Sequence, residues 1–192
     1  MPALAPSRIR ALINPYFPDP AHELLEQLST YLDLLLKWNA RTNLSAIRDP
    51  EQIVQRHFGE SLFTARHLPP ASTLLDLGSG AGFPGLPIAL AHPLLTVTLA
   101  ESQNKKASFL REAVRTLNLQ VVVWPNRAET LPTSRRFDIV TLRAVDNPNI
   151  ALATARQLLT PGGAILHLTA KPALDAKAIP MPNSTTFLDI FR

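Results

Sequence analysis

From Ser72 onward the chain alternates short apolar runs with stretches of helical periodicity, and this alternation restricts its fold more than any other feature. The apolar runs fall at residues 73–77, 95–100, 120–124, 137–142 and 164–168. Helical stretches at 84–91, 105–117 and 149–159 lie between them. Short apolar runs separated by helices fit strands buried on both faces, joined by crossover connections. The expected architecture is therefore α/β, with a central, mostly parallel sheet and helices on both faces. Pro161, Gly162 and Gly163 read as a turn into the last of these strands. After Thr169 only a weak strand near 186–191 is expected.

Residues 1–70 read differently, as a helical extension packed on a core formed by 71–192, whose C-terminal tail is shortened. One helix is expected over 19–40, with Asp19 as its cap and Pro20 in its first turn, where a missing N–H costs nothing. Asp49 and Pro50 repeat that start signal, with Gln52 three residues after the cap. The helix they open runs toward His67 and stops before Pro69 and Pro70. His57 and Glu60 stand one turn apart on it, and a buried structural hydrogen bond between them is expected rather than an acid–base pair.

Composition narrows the chemistry. The 192 residues contain no cysteine, which excludes disulfides, zinc–thiolate sites and thiol nucleophiles. The five histidines show no metal-ligand spacing, so no metal is assigned. No apolar run approaches the roughly 20 residues that span a bilayer, and residues 1–17 lack a secretory signal pattern. The expectation is a cytoplasmic protein with no membrane association. A net charge of +4 is compatible with ordinary solubility or with a polyanionic partner.

The sequence from Asp76 to Gly85 follows the first strand and opens a helix, with glycines at 78, 80, 82 and 85. Glycines there permit a tight turn and let a ligand approach the backbone. A phosphate loop needs a lysine after its last glycine, and none is present. A dinucleotide fingerprint is formally satisfied by Gly80, Gly82 and Gly85, but it begins several residues past the strand and leaves Gly78 unexplained. S-adenosyl-L-methionine fits directly: an acid at the strand end, Asp76, then Gly78, Gly80 and Gly82. That ligand carries a sulfonium and an ammonium, which a nearby carboxylate favours and which a pyrophosphate lacks. Glu101, ending the second strand, can accept both ribose hydroxyls of an adenosine, although a solvated strand end reads the same way. Glu129, after the third strand, can accept from an adenine amino group or serve as a plain loop acid.

Several segments in order resemble a known family. These are Lys37, Trp38 and Asn39 with Asn43 and Leu44; Arg56 and His57 with Glu60, Ser61 and Leu62; the loop from Asp76 to Gly85, including Phe83 and Pro84; Glu101 and Ser102 with Lys105, Lys106, Phe109 and Leu110; Asn126 to Glu129; and Leu142 to Val145. Together they resemble the glucose-inhibited division protein B family (RsmG), over roughly residues 34–169. The resemblance implies a Rossmann-like class I methyltransferase that transfers a methyl group from S-adenosyl-L-methionine to N7 of the guanine at position 527 of 16S ribosomal RNA. It implies cofactor contacts from Gly78, Phe83, Ala128, Glu129 and Arg143, with Asp76 and Glu101 beside them, and places Arg127 and Arg143 where the guanine enters. The chain departs from the family at Glu60, where an Asp is usual, and at Thr169 and Ala170, where Lys-Gly is usual; Lys171 is the candidate replacement. The partner is then the small ribosomal subunit or its rRNA, and the protein acts as a monomer.

Guanine N7 carries an exposed lone pair and needs no general base, so no acid–base residue is assigned. RNA contact is expected from Arg41, Arg48, Lys105, Lys106, Arg127, Arg135 and Arg136, with a solvated basic face as the alternative. Competing functions are a small-molecule methyltransferase, a dinucleotide-dependent oxidoreductase and a non-catalytic RNA-binding relative.

Overall fold

The structure, a computed structural model, describes residues 2–132, 134–145 and 147–192. Five strands follow the expected runs: β1 (Thr73–Leu77), β2 (Thr96–Ala100), β3 (Val121–Trp124), β4 (Phe137–Arg143) and β5 (Leu159–Thr169). Neighbours among them are parallel, in the order β3-β2-β1-β4-β5. The chain then returns as β6 (Lys177–Pro180) and β7 (Phe187–Phe191), and β7 inserts antiparallel between β5 and β6. The 186–191 expectation thus holds, β6 was not foreseen, and the final strand pair is formed.

β5 starts directly after a helix and includes the three residues read as a turn. Leu159 pairs with Phe137, and the register then shifts before Ile139 meets Ala164. Gly162 takes a left-handed φ of 78° within this irregularity, so the glycine signal marks a bulge rather than a strand start.

Among the described residues seven α-helices surround the sheet: α1 (Pro6–Ile13), α2 (His22–Thr42), α3 (Pro50–Gln52), α4 (Glu60–Arg66), α5 (Gly85–Ala91), α6 (Asn104–Thr116) and α7 (Pro148–Leu158). A π-helical segment, Ile53–Gly59, joins α3 to α4 without a break. Asp49 caps α3 as expected, its carboxylate accepting from the Gln52 N–H at 2.8 Å. Asp19 does not cap α2. That helix begins three residues later behind Ala21, and Asp19 sits at φ 50° in the turn before it.

Alternate strand residues divide between two cores. Leu74, Val97, Leu99, Leu166 and Leu168 pack with α1, α2, the Ile53–Arg66 region, α5 and α6, so the N-terminal helices share one continuous core with the sheet. Leu75, Val140, Leu142 and Ile165 pack on the other face with Ala151, Ala155 and Leu158 of α7. Helix α5 lies between the sheet and α2, and its residues from Gly85 to Leu90 are all buried. Gly85 has no room for a side chain there, because a Cβ would strike Leu99 and the Asp76 carboxylate.

Candidate functional site

Parallel strands place every loop that follows a strand on one edge of the sheet. The order reverses between β1 and β4, and ligands of open α/β sheets bind outside the carboxyl ends of strands at such a point. Two adjoining cavities open there. One, of about 210 Å³, is lined by Leu44, Ser45, His57, Phe83 and Arg143 among others. The second, of about 340 Å³, is lined by Ser102, Asn126, Arg127, Ala128 and Glu129 among others. Gly78, Glu101, Lys106 and Ala144 line both. A larger hollow, about 600 Å³ beside Pro69, Pro93 and Leu94, lies at the opposite edge, where β1 and β2 begin.

Six backbone N–H groups of the glycine loop are engaged within the protein. Gly78 and Ser79 donate to the Ala100 carbonyl, both at 3.0 Å, and Gly82 and Phe83 donate to the Ser79 carbonyl. Gly80 donates to Glu101 at 2.9 Å and Gly85 to Asp76 at 3.2 Å. A phosphate cradle requires convergent free N–H groups. Beside this loop the cavities offer the Glu101 carboxylate instead. Glu101 also accepts from Gln103 N–H at 2.7 Å, so each of its oxygens holds one protein donor and keeps lone-pair capacity for a ligand hydroxyl.

Asp76 lines neither cavity. It is buried beneath the loop, where Thr141 Oγ1 donates to it at 2.8 Å. Burial pushes its carboxyl up to about 6, against the opposing pull of hydrogen bonds from Thr141, Ser79 and Gly85. Its role in the structure is to prop the loop. The glycines divide in the same way. Gly78, at φ 74°, could take a Cβ with only Val145 within 4 Å, so its bare face is left open to the cavity. Gly82 faces inward, where a Cβ would lie 2.5 Å from Leu86 and 2.6 Å from the Tyr31 hydroxyl.

The N-terminal helices build the other wall. Tyr31 of α2 donates its hydroxyl to the Ala81 carbonyl and stacks on Phe58 and Phe83 at 5.1 and 5.4 Å. Buried Asn39 clamps the following loop, bonding both the Ser45 N–H and the Ser45 carbonyl. Ser45 in turn meets His57 Nε2 at 2.8 Å. The His57 ring lies on Phe83, with centroids 4.8 Å apart. Burial, aided by Arg143 and Arg56, brings His57 down to about 3, so the ring is neutral. The expected His57–Glu60 bond does not form: His57 turns to Ser45, and Glu60 binds Arg56 and Arg143. Arg143 donates through one terminal nitrogen to Glu60 and to the Arg56 carbonyl, both at 2.8 Å, and its Nη1 is buried without a partner.

The remaining basic residues separate. Lys106 lies between the cavities and Arg127 on the second, while Lys105 is exposed beside them on α6. Arg48 belongs to the loop that lines the first cavity, and Arg41 is exposed at the end of α2 just before it. Lys171, just past β5 and exposed, is on the same edge of the sheet but lines neither cavity. Arg135 and Arg136 precede β4, whose seven residues put them about 20 Å from that edge. They cannot join the others in one patch around the cavities. Among the described residues no cluster of metal ligands is present, and no helix is long and apolar enough to cross a membrane.

Residues 24–179 match the GidB family, described as rRNA small subunit methyltransferase G. The chain belongs to this family. Curated GidB relatives named Ribosomal RNA small subunit methyltransferase G are 46% identical over 146 residues in Stenotrophomonas maltophilia (76% of this chain, 68% of that protein). In Xanthomonas euvesicatoria the relative is 45% identical over 142 residues (73% and 66%), and in Myxococcus xanthus 41% over 161 residues (82% and 74%). The chain thus spans about two thirds of the length of the Xanthomonas and Stenotrophomonas relatives. Among solved structures the GidB chain resembles a ribosomal protein L11 methylase from Lactobacillus delbrueckii, with a TM-score of 0.54 at 14% identity over 72% of this chain and 79% of that one. It also resembles a precorrin-6y C5,15-methyltransferase from Geobacter metallireducens, at 0.51 and 13% over 71% and 86%. These likenesses show the class I methyltransferase fold.

Proposed function

We propose that the chain methylates N7 of a guanine in small-subunit 16S ribosomal RNA, position 527 by its family, with S-adenosyl-L-methionine as donor. The observation that carries the cofactor reading is the loop in which Gly78, Ser79, Gly80, Gly82, Phe83 and Gly85 direct their N–H groups to acceptors inside the protein, with the Glu101 carboxylate beside it lining both cavities. Such a loop suits a cationic adenosine sulfonium and is unsuited to a pyrophosphate. The residues present fit that group: Gly78 leaves a bare approach, and Glu101 keeps acceptor capacity for the ribose. Ala128 and Glu129 line the larger cavity, where the adenine would lie. Phe83, Gly80 and Arg143 line the smaller cavity, where the methyl donor and the base would meet.

The cofactor supplies an electrophilic methyl group. The chain's own task is positioning, since N7 attacks with a lone pair and no proton leaves before transfer. His57 matches that division of labour. Held neutral and stacked on Phe83, it shapes the cavity wall without adding a charge. Arg143 and Lys106 both line this cavity, and the buried Nη1 of Arg143 has no partner within the protein, which leaves it available to an acceptor of the incoming base. Lys105, Lys106 and Arg127, with Arg41 and Arg48 on the rim, would meet RNA phosphates; Lys171 is the further candidate on that edge. The protein on this reading works as a cytoplasmic monomer.

Calorimetry separates the cofactor classes. Binding of S-adenosylhomocysteine without binding of NADH supports the reading, and the reverse overturns it. Labelled S-adenosyl-L-methionine offered to undermethylated small subunits and to naked rRNA then reports the substrate, and transfer to neither would refute the activity.

A further inference from the structure

Glu60 is buried, and its carboxylate gathers four side chains, one from the preceding turn and three from two distant parts of the chain. One oxygen accepts from Arg56 Nε at 3.1 Å, Ser184 Oγ at 2.8 Å and Thr186 Oγ1 at 3.2 Å. The other accepts from Arg143 at 2.8 Å. Ser184 and Thr186 belong to the turn between β6 and β7, and the Ser184 hydroxyl itself accepts from the Thr186 N–H at 3.1 Å. Glu60 opens α4 directly after the π-helical segment. The Arg56 carbonyl from that segment supplies a second acceptor to the same Arg143 nitrogen. Such π-helical insertions are frequent at functional sites.

The arrangement holds Arg143 by one terminal nitrogen and leaves the other, Nη1, buried and unpartnered on a side chain that lines the smaller cavity. A long arginine stem has many rotamers, and a carboxylate paired with one edge of the guanidinium selects among them. Removing that carboxylate leaves a buried cation without its counter-charge, which drives the side chain to move.

We infer that Glu60 is a positioning residue for methyl transfer, aiming Arg143 into the cavity, and that the Ser184 and Thr186 hydroxyls of the β6–β7 turn hold Glu60 in place. The inference rests on the proposed function in placing Arg143 beside the substrate base.

The test uses the full chain and two readouts. The first is methyl transfer to undermethylated small subunits, with kcat and KM resolved. The second is the reaction rate of Arg143 with phenylglyoxal, read by peptide mass mapping. Glu60→Gln is expected to lower kcat about a hundredfold, as for a misplacement near 1 Å, with little change in the cofactor KM. Arg143 should react faster in that variant, and Glu60→Asp should recover part of the rate. Adding Glu60→Gln to Arg143→Gln should cost nothing further, because both act through one group. Ser184→Ala with Thr186→Val should give a smaller fall, about tenfold, as for lost hydrogen bonds to a charged group, and it carries the test if Glu60→Gln fails to fold. Multiplicative losses in the double variant, or unchanged Arg143 reactivity, would overturn the inference. Wild-type protein inactive on ribosomal RNA would refute the functional reading alone, and the phenylglyoxal result would still decide whether Glu60 positions Arg143.

Discussion

The hydroxyl of Tyr31, on the second helix of the N-terminal extension, donates to the carbonyl of Ala81 in the middle of the glycine loop. The loop is therefore held from outside the sheet that carries it. Tyr31→Phe would keep the ring stacking and leave a buried carbonyl short of its donor, at about 1–3 kcal/mol. The expected result is a melting temperature lower by about 2–4 °C per kcal/mol and weaker binding of S-adenosylhomocysteine. Thermal melts and calorimetry check both, and wild-type values in both would show that the loop stands without this bond.

Gly78 and Gly82 should respond differently to alanine. At Gly78 the new methyl meets only Val145 at 3.8 Å, so the protein folds with a strain of about 1–2 kcal/mol, and the loss appears in cofactor affinity. At Gly82 the methyl collides with Leu86 and the Tyr31 hydroxyl, so stability falls further. Melting curves beside titrations distinguish the two. A Gly82→Ala protein melting like wild type would contradict the packing described.

Asp76 predicts a pH dependence of stability. Its folded carboxyl is raised to about 6 by burial, above its ordinary 3.8, so the folded state binds this proton more tightly than the unfolded chain. The contribution is fully present below about pH 4 and is lost as pH rises through 6, amounting to about 3 kcal/mol. Asp76→Asn should remove that slope. Urea unfolding of both proteins between pH 4 and pH 7 checks this, and parallel curves would show that Asp76 does not titrate across the window.

Two pairs of basic residues test where RNA lies. Alanine at Lys105 and Lys106, beside the cavities, should weaken rRNA binding and reduce its salt slope by about 0.7–0.9 per lost phosphate contact. Alanine at Arg135 and Arg136, at the far edge of the sheet, should leave affinity and slope unchanged. Filter binding across a salt series reads both, and equal effects from the two pairs would move the interface.

Strand positions β1 to β5, the order of the motifs and the acid after β2 were legible because each depends on local pattern. Strands buried on both faces read as apolar runs, and a loop closely approached by ligand or protein reads as glycine. What was not legible depends on contacts distant in sequence. Tyr31 reads as one more core position of an amphipathic helix, and nothing local marks its hydroxyl as the loop's support. Glu60 reads as a partner for His57 one turn away, whereas the π-helical segment and the β6–β7 turn bring it Arg143, Ser184 and Thr186. Strand β6 is mostly exposed and ends in proline, so it carries no apolar signal; it forms by pairing with β7. Asp76 was legible as an acid at the strand end, but only burial shows that it faces the protein rather than the ligand.

The most direct test concerns the atom that is methylated. N7-methylguanosine becomes a point of chain scission after borohydride reduction and aniline treatment. The protein should be incubated with S-adenosyl-L-methionine and undermethylated small subunits, and the extracted 16S rRNA cleaved in this way. A single new scission at one guanine, dependent on the cofactor, is predicted. Methyl incorporation without scission, or scission that appears without the protein, would contradict the account.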